Sequence, residues 1–245
     1  MRSVYSERFT TVIFLSALTV IGFKAVQYTC YPDTPSWKMA SGIALWALAA
    51  GTVITWFMRK GLVPVLLLAS VLLFALAVEV FVHKDYQIHN LIEHALQYGT
   101  PALLAILIWK GKAQAFTWTA RILIALTFVG HGVYALGVMI ESTNFMPMTG
   151  AILGTNAHNS ELFLMAAGIL DMVLAAAVLS GVGVKLIIWY AILWGLITAV
   201  ARLYYFGYLG MEKGTWLKGA TEMGYRLCHG LVPLAYWIHL RQRNN

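Results

Sequence analysis

LVPVLLLASVLLFALAVEVFV, residues 62–82, contains a single ionisable side chain, Glu79. An α-helix rises about 1.5 Å per residue and the hydrocarbon core of a bilayer is about 30 Å thick, so a run of this length and composition crosses a membrane as a helix. The whole chain shares this character, with 60% hydrophobic residues, 11% charged residues and a mean hydropathy of +0.73. A soluble chain carries about 25% charged residues. Here 17 Lys and Arg and 10 Asp and Glu are too few to hydrate a 27.1 kDa globule, which excludes a soluble enzyme, a disordered chain and a nucleic-acid-binding domain. The lipid bilayer is the first partner the sequence implies.

Working outward from 62–82, eight segments meet the length requirement: 9–28, 39–58, 62–82, 91–108, 122–140, 161–179, 186–208 and 223–240. The fourth is the most polar, with Glu93, His94 and Gln97 at one end and Pro101 inside it. Such a span faces protein or a cavity rather than lipid. The first segment follows Arg2 and Arg8, as a secretory signal would, but it runs on through Lys24 without a small-residue cleavage pattern and reads as a membrane helix. With eight passes both termini share a side. Ten basic residues fall on that side (Arg2, Arg8, Arg59, Lys60, Lys110, Lys112, Arg121, Lys185, Arg241, Arg243) and four on the other (Lys38, Lys84, Lys213, Lys218). This bias predicts an inner-membrane, multi-pass protein with both termini cytoplasmic. Cys30 and Cys228 stand far apart, with neither CxxC nor metal-ligand spacing.

The connections on the cytoplasmic side are short, so neighbouring helices are expected to be antiparallel. The expected fold is all-α, with two parallel four-helix bundles, residues 1–112 and 113–245. The halves share features in the same order. Each opens with Arg and an apolar run ending at glycine (8–22 and 121–132), continues with SGIAL (41–45) or AGILD (167–171), and then carries one outer charge, Glu79 or Arg202. Each closes on Glu, His, Gly and Pro: Glu93, His94, Gly99 and Pro101 against Glu222, His229, Gly230 and Pro233. Four spans return the chain to its starting side, so a duplication gives parallel repeats.

Two stretches of the second half, RILIALTFVGHGVYALG (121–137) and AAGILDMVLAAAVLSG (166–181), resemble the first two helices of the DoxX-like membrane proteins, a family of small four-helix bundles. The first has the family's Arg, apolar run and HisGly; in the second, Asp171 stands where the family often has Glu. The first half has no HisGly, Arg202 is outside the pattern and the chain is about twice the family's usual length. The resemblance implies the fold and an association with quinone reduction or with thiol and oxidant metabolism.

Ionisable groups inside spans cost several kcal/mol unless paired or hydrated, so their positions carry the functional signal. Counting along the helices puts Lys24, Glu79, Glu93, His94, Arg202, Glu222 and Arg226 near the outer face, His131 and His229 deeper, and Asp171 near the middle. One expectation is structural pairing: Lys24 with Glu79 or Glu93, and Arg202 with Asp171 or Glu222. The other is an outward-facing pocket for a polar head group, a quinone or an ion. In the pocket reading, Arg202, Tyr205, Glu222 and Arg226 contact substrate, while His131, Asp171, Arg202 and His229 orient it and move protons. Glu222, Arg226 and His229 fall at i, i+4 and i+7, on one helical face. His131 and His229, each followed by glycine, also have the pattern for a b-type haem held by two imidazoles. The commoner alternative is hydrogen-bonded histidine beside glycine-mediated helix packing. His83, His89, His94 and His158 form no spacing for a metal site. Three functions follow: a redox-associated protein handling a quinone or small substrate, a small-solute transporter, and a non-catalytic subunit of a membrane complex or homo-oligomer.

Overall fold

In lipid every backbone N–H and C=O must be satisfied within the protein, and a helix achieves this inside one segment. The computed structural model describes residues 7–31, 34–58, 60–109, 113–137, 145–211 and 215–242, and among them every regular element is helical. The first half comprises α1 (Glu7–Cys30), α2 (Ser36–Met58), α3 (Leu62–His83), the short α4 (Ile88–Ile92) and α5 (Ala95–Ile108). The second comprises α6 (Ala113–Ala135), α7 (Phe145–Leu153), α8 (Ala157–Ser180), α9 (Val184–Arg202), a π-helical turn (Leu203–Tyr208), α10 (Trp216–Arg226) and α11 (Cys228–Gln242).

Seven of the eight expected segments are long and apolar enough to cross a bilayer. The eighth is divided into α10 and α11 at Leu227. Its outer end belongs to α10, which begins at Trp216, before the expected segment, and is polar, carrying Lys218, Glu222 and Arg226. The last pass still returns to the starting side. Phe9 near the start of α1 packs on Phe116 near the start of α6 (5.0 Å between centroids), and both rings meet His239 near the end of α11 (5.8 and 5.1 Å).

Three boundaries differ from expectation. The fifth span begins at Ala113 rather than 122 and ends at Ala135, with Gly137 turning at φ 63°. Arg121 does not mark its start, because the guanidinium reaches sideways to donate to the Tyr236 hydroxyl at 2.7 Å. Residues 138–140 of the expected span lie outside the described residues. The fourth span is broken at Glu93–His94, between α4 and α5. An amphipathic helix, α7, occupies part of the expected outer loop 141–160. Of the basic residues used to orient the chain, Arg2, Arg59, Lys110, Lys112, Lys213 and Arg243 lie outside the described residues, as does the side chain of Arg8.

α1 packs chiefly on α2 and α3 on α5; correspondingly α6 packs on α8 and α9 on α11. The halves meet where α1 lies on α10 and α11 and where α5 lies on α6. One core runs through both, including Phe9, Ile13, Leu45, Leu66, Leu103, Phe128, Ile188 and Tyr236. The outward faces of α2, α3, α8 and α9 expose Phe57, Val71, Ile169 and Leu186, the surface that lipid covers.

Candidate functional site

In the half of the molecule away from the termini, α6, α7, α8, α9 and the end of α10 surround a cavity of about 120 Å³. Leu164, Ala167, Ile197 and Ala201 form its apolar walls, and Phe145, Met148 and Ile152 of α7 roof it. Four ionisable side chains reach it: His131, Asp171, Arg202 and Arg226. Two of the lining residues, Phe163 on α8 and Ile197 on α9, are also 40% and 57% exposed on the outer face of the bundle. Both belong to segments long and apolar enough to cross a membrane, so at α8 and α9 residues of the cavity wall also reach the outer surface of the bundle.

Local structure sets the position of each group. Arg202 ends the regular part of α9, where the π-helical turn begins; a π segment changes the direction in which the following residues point. Within that turn, Gly207 lies against the Trp216 ring, and Gly219 of α10 lies so near the Leu203 carbonyl that a Cβ would stand 3.0 Å from its oxygen. This close approach seats α10 beside Arg202. Farther down, a Cβ at Gly195 would stand 2.4 Å from the His229 carbonyl oxygen, so only glycine lets α9 and α11 meet there. Gly130 similarly admits the Glu93 backbone, with a Cβ 2.6 Å from its nitrogen. The break between α4 and α5 thus brings Glu93 to the level of His131, deeper than its place in the sequence implied.

The observed partners differ from the expected pairs. Glu79 lies 3.0 Å from Lys38 and 3.0 Å from His83, away from Lys24. Lys24 donates to Gln27 Oε1 at 3.1 Å and sits 3.8 Å from the centre of the Tyr225 ring. Glu222 accepts from Arg226 one turn along α10, and Arg226 also donates to the Tyr225 hydroxyl at 2.7 Å. Asp171 accepts the Tyr190 hydroxyl at 2.9 Å. Arg202, 9% exposed, is within ion-pair distance of neither Asp171 nor Glu222, and its guanidinium lies 5.3 Å from the centre of the Phe145 ring. Both Glu93 oxygens face histidine, Oε1 at 3.6 Å from His94 and Oε2 at 3.9 Å from His131.

The substrate-contact set divides accordingly. Arg202 and Arg226 line the cavity, whereas Glu222 stands behind Arg226 as its counter-ion. Tyr205 is 1% exposed, packs with Met148 and Phe206, and is not part of the cavity lining. His131 lines the cavity beside Phe145; His229 is next to it but buried from the cavity, with neither ring nitrogen hydrogen-bonded.

The two histidines do not fit a haem. Imidazoles that ligate one metal from opposite sides hold their centroids about 6 Å apart, given metal–nitrogen bonds of about 2.0 Å. His131 and His229 are edge to face with centroids 5.0 Å apart, leaving no slot for a macrocycle. The adjacent glycines are used by helix packing instead: Gly132 meets the Gly168 carbonyl, and Gly230 meets Leu196 and the Ile192 carbonyl. No group of three or more His, Cys, Asp and Glu side chains is arranged to hold a metal ion among the described residues.

Sequence reasoning missed Tyr190, Trp194 and α7. Tyr190 had a usable signal: a carboxylate near mid-membrane requires a donor, and a hydroxyl at matching depth on the next antiparallel span can supply it. α7 had none, because a mostly apolar stretch of nine residues in an outer loop does not indicate which cavity it covers.

The fold defines a class, a polytopic helical membrane protein, and within it four ionisable side chains line one cavity. No family model matches the sequence, no curated protein matches it, and no solved structure matches the fold.

Proposed function

We propose that this chain is a DoxX-like, redox-associated membrane protein whose cavity takes a small lipophilic molecule with an oxygen-bearing head, a quinone by the family resemblance. The supporting observation is the convergence of His131, Asp171, Arg202 and Arg226 on one otherwise apolar cavity whose lining reaches the bundle surface at Phe163 and Ile197. Apolar walls with a few polar groups characterise small-molecule sites. The guanidiniums are donors for a carbonyl head. His131 and Asp171 are the groups able to hold a proton at the wall. The matching packing order of α1, α2, α3, α5 and α6, α8, α9, α11 supports an internal repeat, although only the second half carries a cavity of this size. A transporter is the weaker reading, since nothing deeper than Asp171 on α8 lines the cavity and Leu174, Val178 and Ile188 are packed shut beneath it.

Trp194 lies in the wall and reports occupancy. Decylubiquinone is expected to quench its fluorescence in the purified protein, with the signal lost in Trp194→Phe and the binding lost in Ala201→Phe, which fills the cavity. Quenching that survives both substitutions removes this site from consideration.

A further inference from the structure

The charges around the cavity do not balance locally. Lys24, Arg202 and Arg226 face two carboxylates, Glu93 and Glu222. Glu222 is taken by Arg226, and the oxygens of Glu93 point to His94 and His131. Arg202 is left with an aromatic face, and no carboxylate lies within ion-pair distance of it among the described residues. The one other acid in the cavity wall, Asp171, accepts from Tyr190, which stands twelve residues before Arg202 on α9. That spacing puts the carboxylate on the order of 10 Å or more from Arg202 along the helix axis. A guanidinium in a membrane span without a partner costs about 2.5–3.5 kcal/mol even on the mildest scale, and such residues face a partner or a pathway. Arg202 faces the cavity.

Shape adds a second constraint. From Arg202 the cavity extends past Ala201, Thr198 and Ile197 toward Trp194 along mostly apolar walls, in which the Thr198 hydroxyl is already used by the Trp194 carbonyl, and its lining includes Phe163 and Ile197, which are exposed on the bundle surface. A small hydrophilic anion would leave those walls bare. A molecule with one negative head and an aliphatic chain satisfies both ends, entering from the bilayer with the head on Arg202 and the chain along the walls.

Resting on the reading of this cavity as a ligand site, we infer that, besides a neutral oxygen-bearing head, it accepts an amphipathic monoanion, and that Arg202 selects the charged head. Arg226 does not duplicate this role, because Glu222 and Tyr225 already satisfy it.

The test is native mass spectrometry of the full chain in neutral detergent, with chain-matched probes dodecanoate and dodecanol, with phosphatidylglycerol and phosphatidylcholine as a second matched pair, and with decylubiquinone. A charged hydrogen bond in place of a neutral one predicts that the anion of at least one pair binds about tenfold or more tightly than its neutral partner. The preference should fall to within about threefold in Arg202→Gln and survive largely in Arg202→Lys. Ala201→Phe, which keeps Arg202, should reduce binding of every probe. Dodecanoate alone identifies a free acid and phosphatidylglycerol alone a bilayer lipid; either supports the inference when the preference depends on Arg202. Equal binding of the charged and neutral members of both matched pairs, or an anion preference that persists in Arg202→Gln, overturns the inference while leaving the cavity as a ligand site. If no probe binds the parent more than Ala201→Phe, the ligand-site reading falls as well.

Discussion

Glu222→Gln separates a buried ion pair from its field without changing side-chain volume. In the parent, Glu222 accepts from Arg226 with side-chain exposures of 14% and 15%. Removing one partner of a buried pair leaves an uncompensated charge and costs about 3–5 kcal/mol. The Tyr225 hydroxyl remains on Arg226 as a neutral partner, which places the expected loss at the lower end. For a chain of this size each kcal/mol moves the unfolding midpoint by about 2–4 °C, so the variant is predicted to melt roughly 6–12 °C below the parent. The protein contains its own reporter, since Cys228 is buried and Cys30 is exposed. In a Cys30→Ser background, labelling of Cys228 by a thiol-reactive dye during a thermal ramp reads the opening of the core beside the pair. Glu222→Gln/Arg226→Gln, which removes both charges, is predicted to recover at least half of the lost midpoint. A single variant within about 2 °C of the parent, or a double variant less stable than both singles, would refute the pairing argument.

Three further outcomes are expected. Gly195→Ala forces α9 away from the His229 carbonyl and should cost about 1–3 kcal/mol in the same assay, while Gly22→Ala, whose Cβ meets nothing within 4 Å, should not lower the midpoint. Tyr190→Phe removes the hydroxyl that Asp171 accepts, with a predicted loss of about 1–3 kcal/mol and a shift in the Asp171 carboxyl band by infrared spectroscopy, checked against Asp171→Asn. Lys38→Ala breaks a contact to Glu79 in which the lysine side chain is 24% exposed, and should cost about 1 kcal/mol or less, measured as a small midpoint change that added salt reduces further.

The membrane fold was legible because the bilayer imposes a length and a composition that 62–82 meets with a single ionisable residue. The interruptions were less legible. Glu93 and His94 marked the fourth span as polar but not as two helices, because a break inside a span depends on what the freed backbone meets, here the close approach at Gly130. Depth counting brought His131 and His229 together correctly, since both lie near mid-span and their rings touch. It could not assign partners. Arg226 chose the carboxylate one turn away on its own helix, leaving Arg202 without an ion pair among the described residues, and no sequence pattern distinguishes a guanidinium that is paired from one that faces a cavity. Tyr205 illustrates the same limit in reverse. It is three residues from Arg202, yet in the π-helical turn it packs on Met148 and Phe206 rather than lining the cavity.

The central claim is that the cavity communicates with the bilayer between α8 and α9. Cysteines at positions 163 and 197, in a chain lacking Cys30 and Cys228, can be joined across the mouth by a short bis-methanethiosulfonate linker, and the dissociation rate of a bound lipophilic probe measured before linking, after linking and after reduction. The account predicts that linking slows exchange at least tenfold and that reduction restores it. Unchanged exchange with the mouth fully linked would show that the ligand enters by another route and would contradict the account.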